Sequence, residues 1–274
     1  GGWCHSFTLN GQRFSPGVHY IGLLDAGQST EVLYKGLGVA NDLIFFRMNS
    51  KGYDHCHIGS AKIDLPAGIH NLRESLISKF PKEEKNIKEY LHLIQKVNEE
   101  LQLMPKLKGL WQKITVPFRT KHFGKFALFS LKRVINWHIN DPLLKAVLNA
   151  QCGDHGLPPS KASFPVHCSV MNHYFDGGFY PMGGGGGIVK AMTNKIKKHD
   201  GVIKTNAAVS KILIKDKIAY GVELKSGEQF YAKNIVSNAD PSITFLQLVG
   251  EENISKKLSK KLTKTNYSVT SLIL

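Results

Sequence analysis

The sequence predicts an α/β chain in which a mostly helical middle is flanked by strand-rich segments, and three observations carry that reading. Across residues 69–139 apolar side chains recur at three and four positions: Leu72, Leu76 and Ile77, then Ile87, Tyr90, Leu91, Ile94 and Val97. After Gly201 the pattern turns into short apolar runs cut by turn residues. Between these regions five consecutive glycines, residues 183–187, mark an abrupt change of backbone style.

The elements follow in order. Asn10-Gly11 between Phe7 and Phe14 predicts a hairpin, because the tightest hairpin turns need positive φ at both central residues. Pro81 separates two helices, and Lys82-Glu83-Glu84 suits the first turn of the second. Asp141 reads as an N-cap with Pro142 at the first helical position, and the break at residues 156–160 follows that helix. Ile188, Val189, Met192 and Ile196 predict an amphipathic helix ending near Gly201. Residues 202–205 then read as a strand, 209–214, 219–224 and 229–231 as a β-meander, and 235–237 as one more strand. A basic helix is predicted over residues 253–264, with Leu258 and Leu262 on one face.

A length of 274 residues suits one large domain or two ordinary ones, and 42% apolar content excludes a disordered chain. No apolar run approaches the roughly 18 residues that a helical membrane span needs, and the first 30 residues hold no signal-peptide pattern. A net charge of +15 favours a polyanionic partner, either nucleic acid or an anionic lipid surface. The four cysteines show no C-x-x-C spacing, so they read as reduced thiols in a reducing compartment. An opening on Gly1-Gly2 without Met and a close on an apolar run, residues 269–274, predict a fragment cut at both ends.

The glycine run fails the G-x-G-x-x-G spacing because position 188 is Ile188, and no Lys-Ser/Thr pair follows to make a phosphate loop. Close packing and approach by a ligand both stay open for it. Four separated stretches, in order, resemble one family. They are Gly1-Gly2-Trp3-Cys4-His5-Ser6-Phe7 with residues 14–22; Asn172-His173-Tyr174 through Gly177-Gly178-Phe179-Tyr180-Pro181 to Gly184; residues 205–212 with Gly221-Val222 and Gly227; and Val236-Ser237-Asn238-Ala239-Asp240-Pro241. The chain thus resembles the phytoene desaturase-like FAD-dependent oxidoreductases, nearest the all-trans-retinol 13,14-reductase (retinol saturase) and carotenoid isomerase branch. Two family elements, the opening strand with G-x-G-x-x-G and the closing Gly-Asp segment, do not occur in the sequence.

The resemblance implies a Rossmann-like FAD-binding domain, residues 1–22 and 177–241, interleaved with a helical and β substrate domain, residues 23–176 and 242–274. It implies that Gly1 and Gly2 pass close to the FAD pyrophosphate or ribose, that Val209 offers main-chain groups to the adenine edge, and that Asn238 and Ala239 end a strand at the cofactor crevice. Ordinary turn or core roles are the alternatives for each. His19 and Tyr20, with His173 and Tyr174, become candidates to approach flavin and substrate, against an equal reading as structural side chains. NAD(P)H is a possible electron source, and the expected substrate is a lipophilic polyene isoprenoid that is saturated, desaturated or isomerised.

No metal is expected: in Asp54-His55-Cys56-His57 the two histidines point to one strand face and Cys56 to the other. Between Glu100 and Asp141 eight basic residues interleave with aromatics such as Trp111, Phe118, Phe126 and Trp137 without an acid. That composition suits a peripheral position on an anionic membrane in the cytoplasm, or else a solvated helix with its aromatics in the core. The competing class is a non-catalytic basic module for a lipid surface or nucleic acid, although no zinc spacing, RNP-like strand or repeat favours the latter.

Overall fold

Every strand pairing among the described residues is antiparallel, and turn chemistry fixes most of them. The computed structural model describes residues 2–107, 109 and 115–265. Helices and sheets alternate as the α/β reading expects. The described residues fall into two units, 2–199 and 200–265.

In the first unit β1 (Phe7–Leu9) and β2 (Gln12–Phe14) make the anticipated hairpin, with Asn10 and Gly11 at φ +50° and +76°. Phe7 and Phe14 stack across it with ring centroids 5.4 Å apart. After α1 (Ser29–Gly36), β3 (Phe45–Arg47) pairs with β6 (Phe179–Pro181), joining segments far apart in sequence. β4 (Asp54–Ile58) and β5 (Ala61–Leu65) form a hairpin in which Cys56 is buried while His55 and His57 face outward. That alternation is the two-residue period of a half-buried strand.

The core of this unit is built on α3 (Glu84–Leu103), preceded by α2 (Ile69–Lys79). Ile87, Tyr90, Leu91, Ile94 and Val97 all lie on its buried face, which is the three-and-four spacing of the sequence made physical. Short helices α4 (Val116–Arg119) and α5 (Lys121–Phe126), then α6 (Leu131–His138) and α7 (Pro142–Leu148), lead to α8 (Phe164–Tyr174) against α3. Asp141 caps α7 as anticipated, its Oδ1 accepting the Leu143 and Leu144 N–H groups at 2.8 and 2.9 Å. The glycine run opens α9 (Gly185–Lys198).

In the second unit β7 (Val209–Lys215), β8 (Ile218–Leu224) and β9 (Gln229–Tyr231) form the predicted meander. Asp216 and Lys217, both at positive φ, make its first turn. A π-helix (Ile243–Leu248) and α10 (Lys256–Thr263) follow, the latter capped by Ser255 Oγ on the Leu258 N–H. Residues 202–205 and 235–237, expected as strands, are not strands. Apolar sequence alone does not make a strand: among the described residues neither run has a partner ladder, and Val202 and Val236 stand 83% and 92% exposed.

Glu83 is a buried carboxylate between α2 and α3. Its Oε1 accepts the N–H groups of Asn140 and Asp141 at 3.0 and 2.8 Å, and its Oε2 accepts from the Asn86 amide at 2.6 Å. Removing it strands two backbone donors, so Glu83→Ala should lower unfolding free energy by about 2 kcal/mol or more in urea denaturation. Glu84→Ala, on an exposed side chain, should change it by less than about 0.5 kcal/mol.

Candidate functional site

The site begins with one close backbone approach. Ile21 exchanges two hydrogen bonds of 2.8 Å with Phe179, and the next residue, Gly22, donates its N–H to His173 Nε2 at 2.9 Å. A Cβ at Gly22 would overlap the His173 carbonyl oxygen, so only glycine lets the chain pass the end of α8 at this depth. His19 and Tyr20 are thereby laid against His173 and Tyr174.

The resulting cluster is aromatic with two carboxylates at its edge. Tyr20 sits edge-on to Tyr174, His19 and Tyr53, with centroids 4.9, 4.5 and 5.8 Å apart, in the geometry that ring quadrupoles favour. Its hydroxyl donates to Asp54 Oδ2 at 2.9 Å. His19 Nε2 lies 3.2 Å from Asp154 Oδ1. Gln151 donates to the Tyr53 hydroxyl at 3.2 Å behind the cluster. Three of the four side chains anticipated here, His19, Tyr20 and Tyr174, meet ring to ring, and His173 joins them through Gly22 and through Tyr174, 4.7 Å away.

Sequence reasoning missed Tyr53, Asp54, Asp154 and Gln151. Asp54 had a signal, since it opens the Asp54-His55-Cys56-His57 run, but that run was read only for metal ligands. Within it, His55 is instead paired with Asp64 at 2.7 Å, which lowers the Asp64 pKa.

Environment divides the protonation states. The hydrogen bond to Asp154 raises the His19 pKa above the usual 6.5 against the opposing effect of burial, with the charges of Asp154 and Asp54 adding to it. Burial holds His173 below that value. Its Nε2 must be unprotonated to accept from Gly22, which makes it a neutral Nδ1–H tautomer. Burial first, and Asp54 second, push the Tyr20 hydroxyl far above its usual pKa, so it keeps its proton. The cluster therefore holds a proton-rich side, His19 and Tyr20, and a fixed neutral acceptor, His173.

The cofactor-side residues fall elsewhere. Gly2 is exposed at φ +52°, with open space where a Cβ would stand, and Gly1 lies outside the described residues. In the second unit Val209 pairs with Leu224 at the start of β7, and Asn238 and Ala239 are exposed beside Ser237, whose Oγ accepts the Ala239 N–H at 3.4 Å. Val209 thus opens a strand, whereas Asn238 and Ala239, expected to end one, do not, because residues 235–237 form no strand among the described residues. In the glycine run the N–H groups of Gly185 and Gly186 donate to Ser15 Oγ and Ser6 Oγ at 2.7 and 3.1 Å. The run is a packing joint between the start of α9 and the residue 6–15 hairpin.

A model of the family described as flavin containing amine oxidoreductase matches residues 1–248. The chain belongs to that family. Membership supports a flavin as the cofactor. The chain is 31% identical to an all-trans-retinol 13,14-reductase of Danio rerio over 84% of its own length, spanning 39% of that relative. It is 35% identical to prolycopene isomerase 2 of an Oncidium hybrid cultivar over 43% of its length, which is 21% of that protein. These relatives lie in the branch that the sequence motifs resemble. Among solved structures, an oxidoreductase from Methanosarcina mazei superposes on 96% of this chain and 56% of its own with a TM-score of 0.63 at 17% identity, a likeness of fold.

The His19 pair has a testable sign. A raised folded-state pKa contributes stability fully present below the ordinary value of 6.5 and lost as pH rises through the raised value. In an NMR titration of the chain the His19 ring should titrate above 6.5, and Asp154→Asn should bring it down. A His19 that titrates below 6.5 in both proteins would remove the ion pair from the site.

Proposed function

We propose that the chain is part of an FAD-dependent oxidoreductase that acts on carbon–carbon double bonds of a polyene isoprenoid, by saturation, desaturation or isomerisation. The observation that carries this reading is the flavin-family match over residues 1–248, joined to likeness to a retinol reductase and a carotenoid isomerase. We assign the FAD-binding parts to residues 1–22 and 177–241 and the substrate parts to residues 23–176 and 242–274. Gly1, Gly2 and the backbone at Val209, Asn238 and Ala239 would hold FAD, with NAD(P)H as electron source. Bound FAD would supply hydride transfer, which neither tyrosine nor histidine can perform.

The chain's own share is protonic and steric. Saturating a double bond needs one proton for each hydride, and Tyr20 Oη and His19 Nε2 are the groups that keep protons near neutral pH. Asp54 orients the Tyr20 hydroxyl, and Asp154 stabilises the protonated His19. Tyr53 and Tyr174, both buried, pack against Tyr20, and the polyene would lie against the aromatic cluster that they build with it. His173 positions Gly22 and needs no proton transfer of its own.

The same reading places the chain at an anionic membrane, where a lipophilic substrate would enter. Among the described residues no helix is long and apolar enough to cross a membrane. Phe118, Leu128 and Trp137 stand 83%, 96% and 52% exposed in the basic stretch, and Arg133 lies over the Phe129 and Trp137 rings at 4.9 and 5.1 Å. Phe126, by contrast, is in the core. Trp111 lies outside the described residues.

Two measurements follow. The whole protein that contains this chain, reconstituted with FAD, should show bound flavin absorbance and turn over retinoids or carotenoids, and Tyr20→Phe should lower kcat roughly 10²-fold or more while flavin stays bound. Absence of both flavin binding and polyene turnover would overturn the assignment. In liposome sedimentation the chain should bind phosphatidylserine vesicles at low salt and release at high salt. Lys121→Glu with Lys125→Glu should weaken binding at least about 30-fold, since each surface lysine adds about 1 kcal/mol. Binding that ignores both salt and these changes would refute the membrane face.

A further inference from the structure

One group of ligating side chains lies outside the flavin and polyene machinery. Cys152 and His155 stand three residues apart on the 3-10 helix Ala150–His155, where three residues make one turn, so their side chains share a face. His167, fully buried, reaches the same point from α8. One ligand atom from each of the three lies within 4.8 Å of the others.

The hydrogen bonds around this point have the pattern of a metal centre. His167 Nε2 donates to the Leu148 carbonyl at 3.1 Å, which leaves a lone pair on His167 Nδ1 facing the cluster. A backbone carbonyl on the distal ring nitrogen is the usual outer partner of a ligating histidine. His155 Nε2 is 3.3 Å from His167 Nδ1. Two nitrogens bound tetrahedrally at about 2.0–2.1 Å from zinc are separated by roughly that distance. Among the described residues His155 Nδ1 is one of two buried side-chain polar atoms without a hydrogen-bond partner. On the opposite side of that ring, His155 Nε2 and His167 Nδ1 can share only one proton between them, and a cation would take both lone pairs in its place.

We infer that Cys152, His155 and His167 form a binding site for a divalent cation of the zinc class. One thiolate and two neutral imidazoles are a borderline-soft set that suits zinc over magnesium or calcium. Cys152 and His155 are each partly exposed, so a water can take the fourth position and ions can enter. The cation would clamp the 3-10 helix onto α8. Asp154, between two of the ligands, would be held in register with His19.

The test is cobalt(II) and zinc(II) binding to the full chain after chelator dialysis, with magnesium as control. The expected result is one equivalent of metal, a thiolate-to-cobalt charge-transfer band with tetrahedral ligand-field bands, loss of the charge-transfer band in Cys152→Ser, and at least about 10-fold weaker zinc binding in His155→Ala. A second measurement serves should Cys152→Ser misfold: mass spectrometry of the wild-type chain should show Cys152 alkylation slowed by zinc and Cys4 alkylation unchanged. A charge-transfer band that survives in folded Cys152→Ser, binding no stronger than that of magnesium, or Cys152 alkylation indifferent to zinc would each overturn the site.

Discussion

The contact between Gly22 and His173 is the joint on which the candidate site depends. It is made of a main-chain N–H, a ring nitrogen and the space left by a missing Cβ, and none of the three tolerates substitution. Because Ile21 is locked to Phe179 one residue earlier, the segment that carries His19 and Tyr20 cannot shift without breaking the pairing beside β6. Residues separated by about 150 positions in sequence meet there, and the aromatic cluster is a consequence of that meeting.

Burial does the chemical sorting. The same apolar surroundings that keep Tyr20 protonated keep His173 neutral, while the half-exposed His19 gains protonation from Asp154. A partly buried carboxylate beside each proton holder offsets the cost of placing it near apolar walls, in the way that paired polar groups generally must be satisfied. The glycine run contributes to order by another route, its first N–H groups consumed by Ser15 and Ser6, so that α9 is tied to the hairpin rather than to a ligand.

Local signals were legible and long-range ones were not. Asn10-Gly11, the Asp141-Pro142 cap, the apolar face of α3 and the meander turns each depend on a few neighbouring residues, and each stands where the sequence placed it. Residues 202–205 and 235–237 carried the same apolar signal but lack a partner ladder among the described residues, which periodicity cannot foresee. His19, Tyr20 and His173 could be named from family-like motifs. Their carboxylate partners could not, because Asp54 and Asp154 come from a hairpin and a 3-10 helix that only the fold brings alongside. The Cys152, His155 and His167 grouping escaped for the same reason: its third member is on another helix.

The proposed seat of the polyene is the aromatic cluster of Tyr20, Tyr53 and Tyr174, and a photoreactive polyene analogue tests that proposal most directly. Irradiated with the FAD-loaded whole protein and mapped by peptide mass spectrometry, it should label the peptides that contain these three tyrosines, and excess unlabelled polyene should suppress the labelling. Labelling confined to other surfaces, or labelling at the tyrosines that excess polyene leaves untouched, would contradict the account.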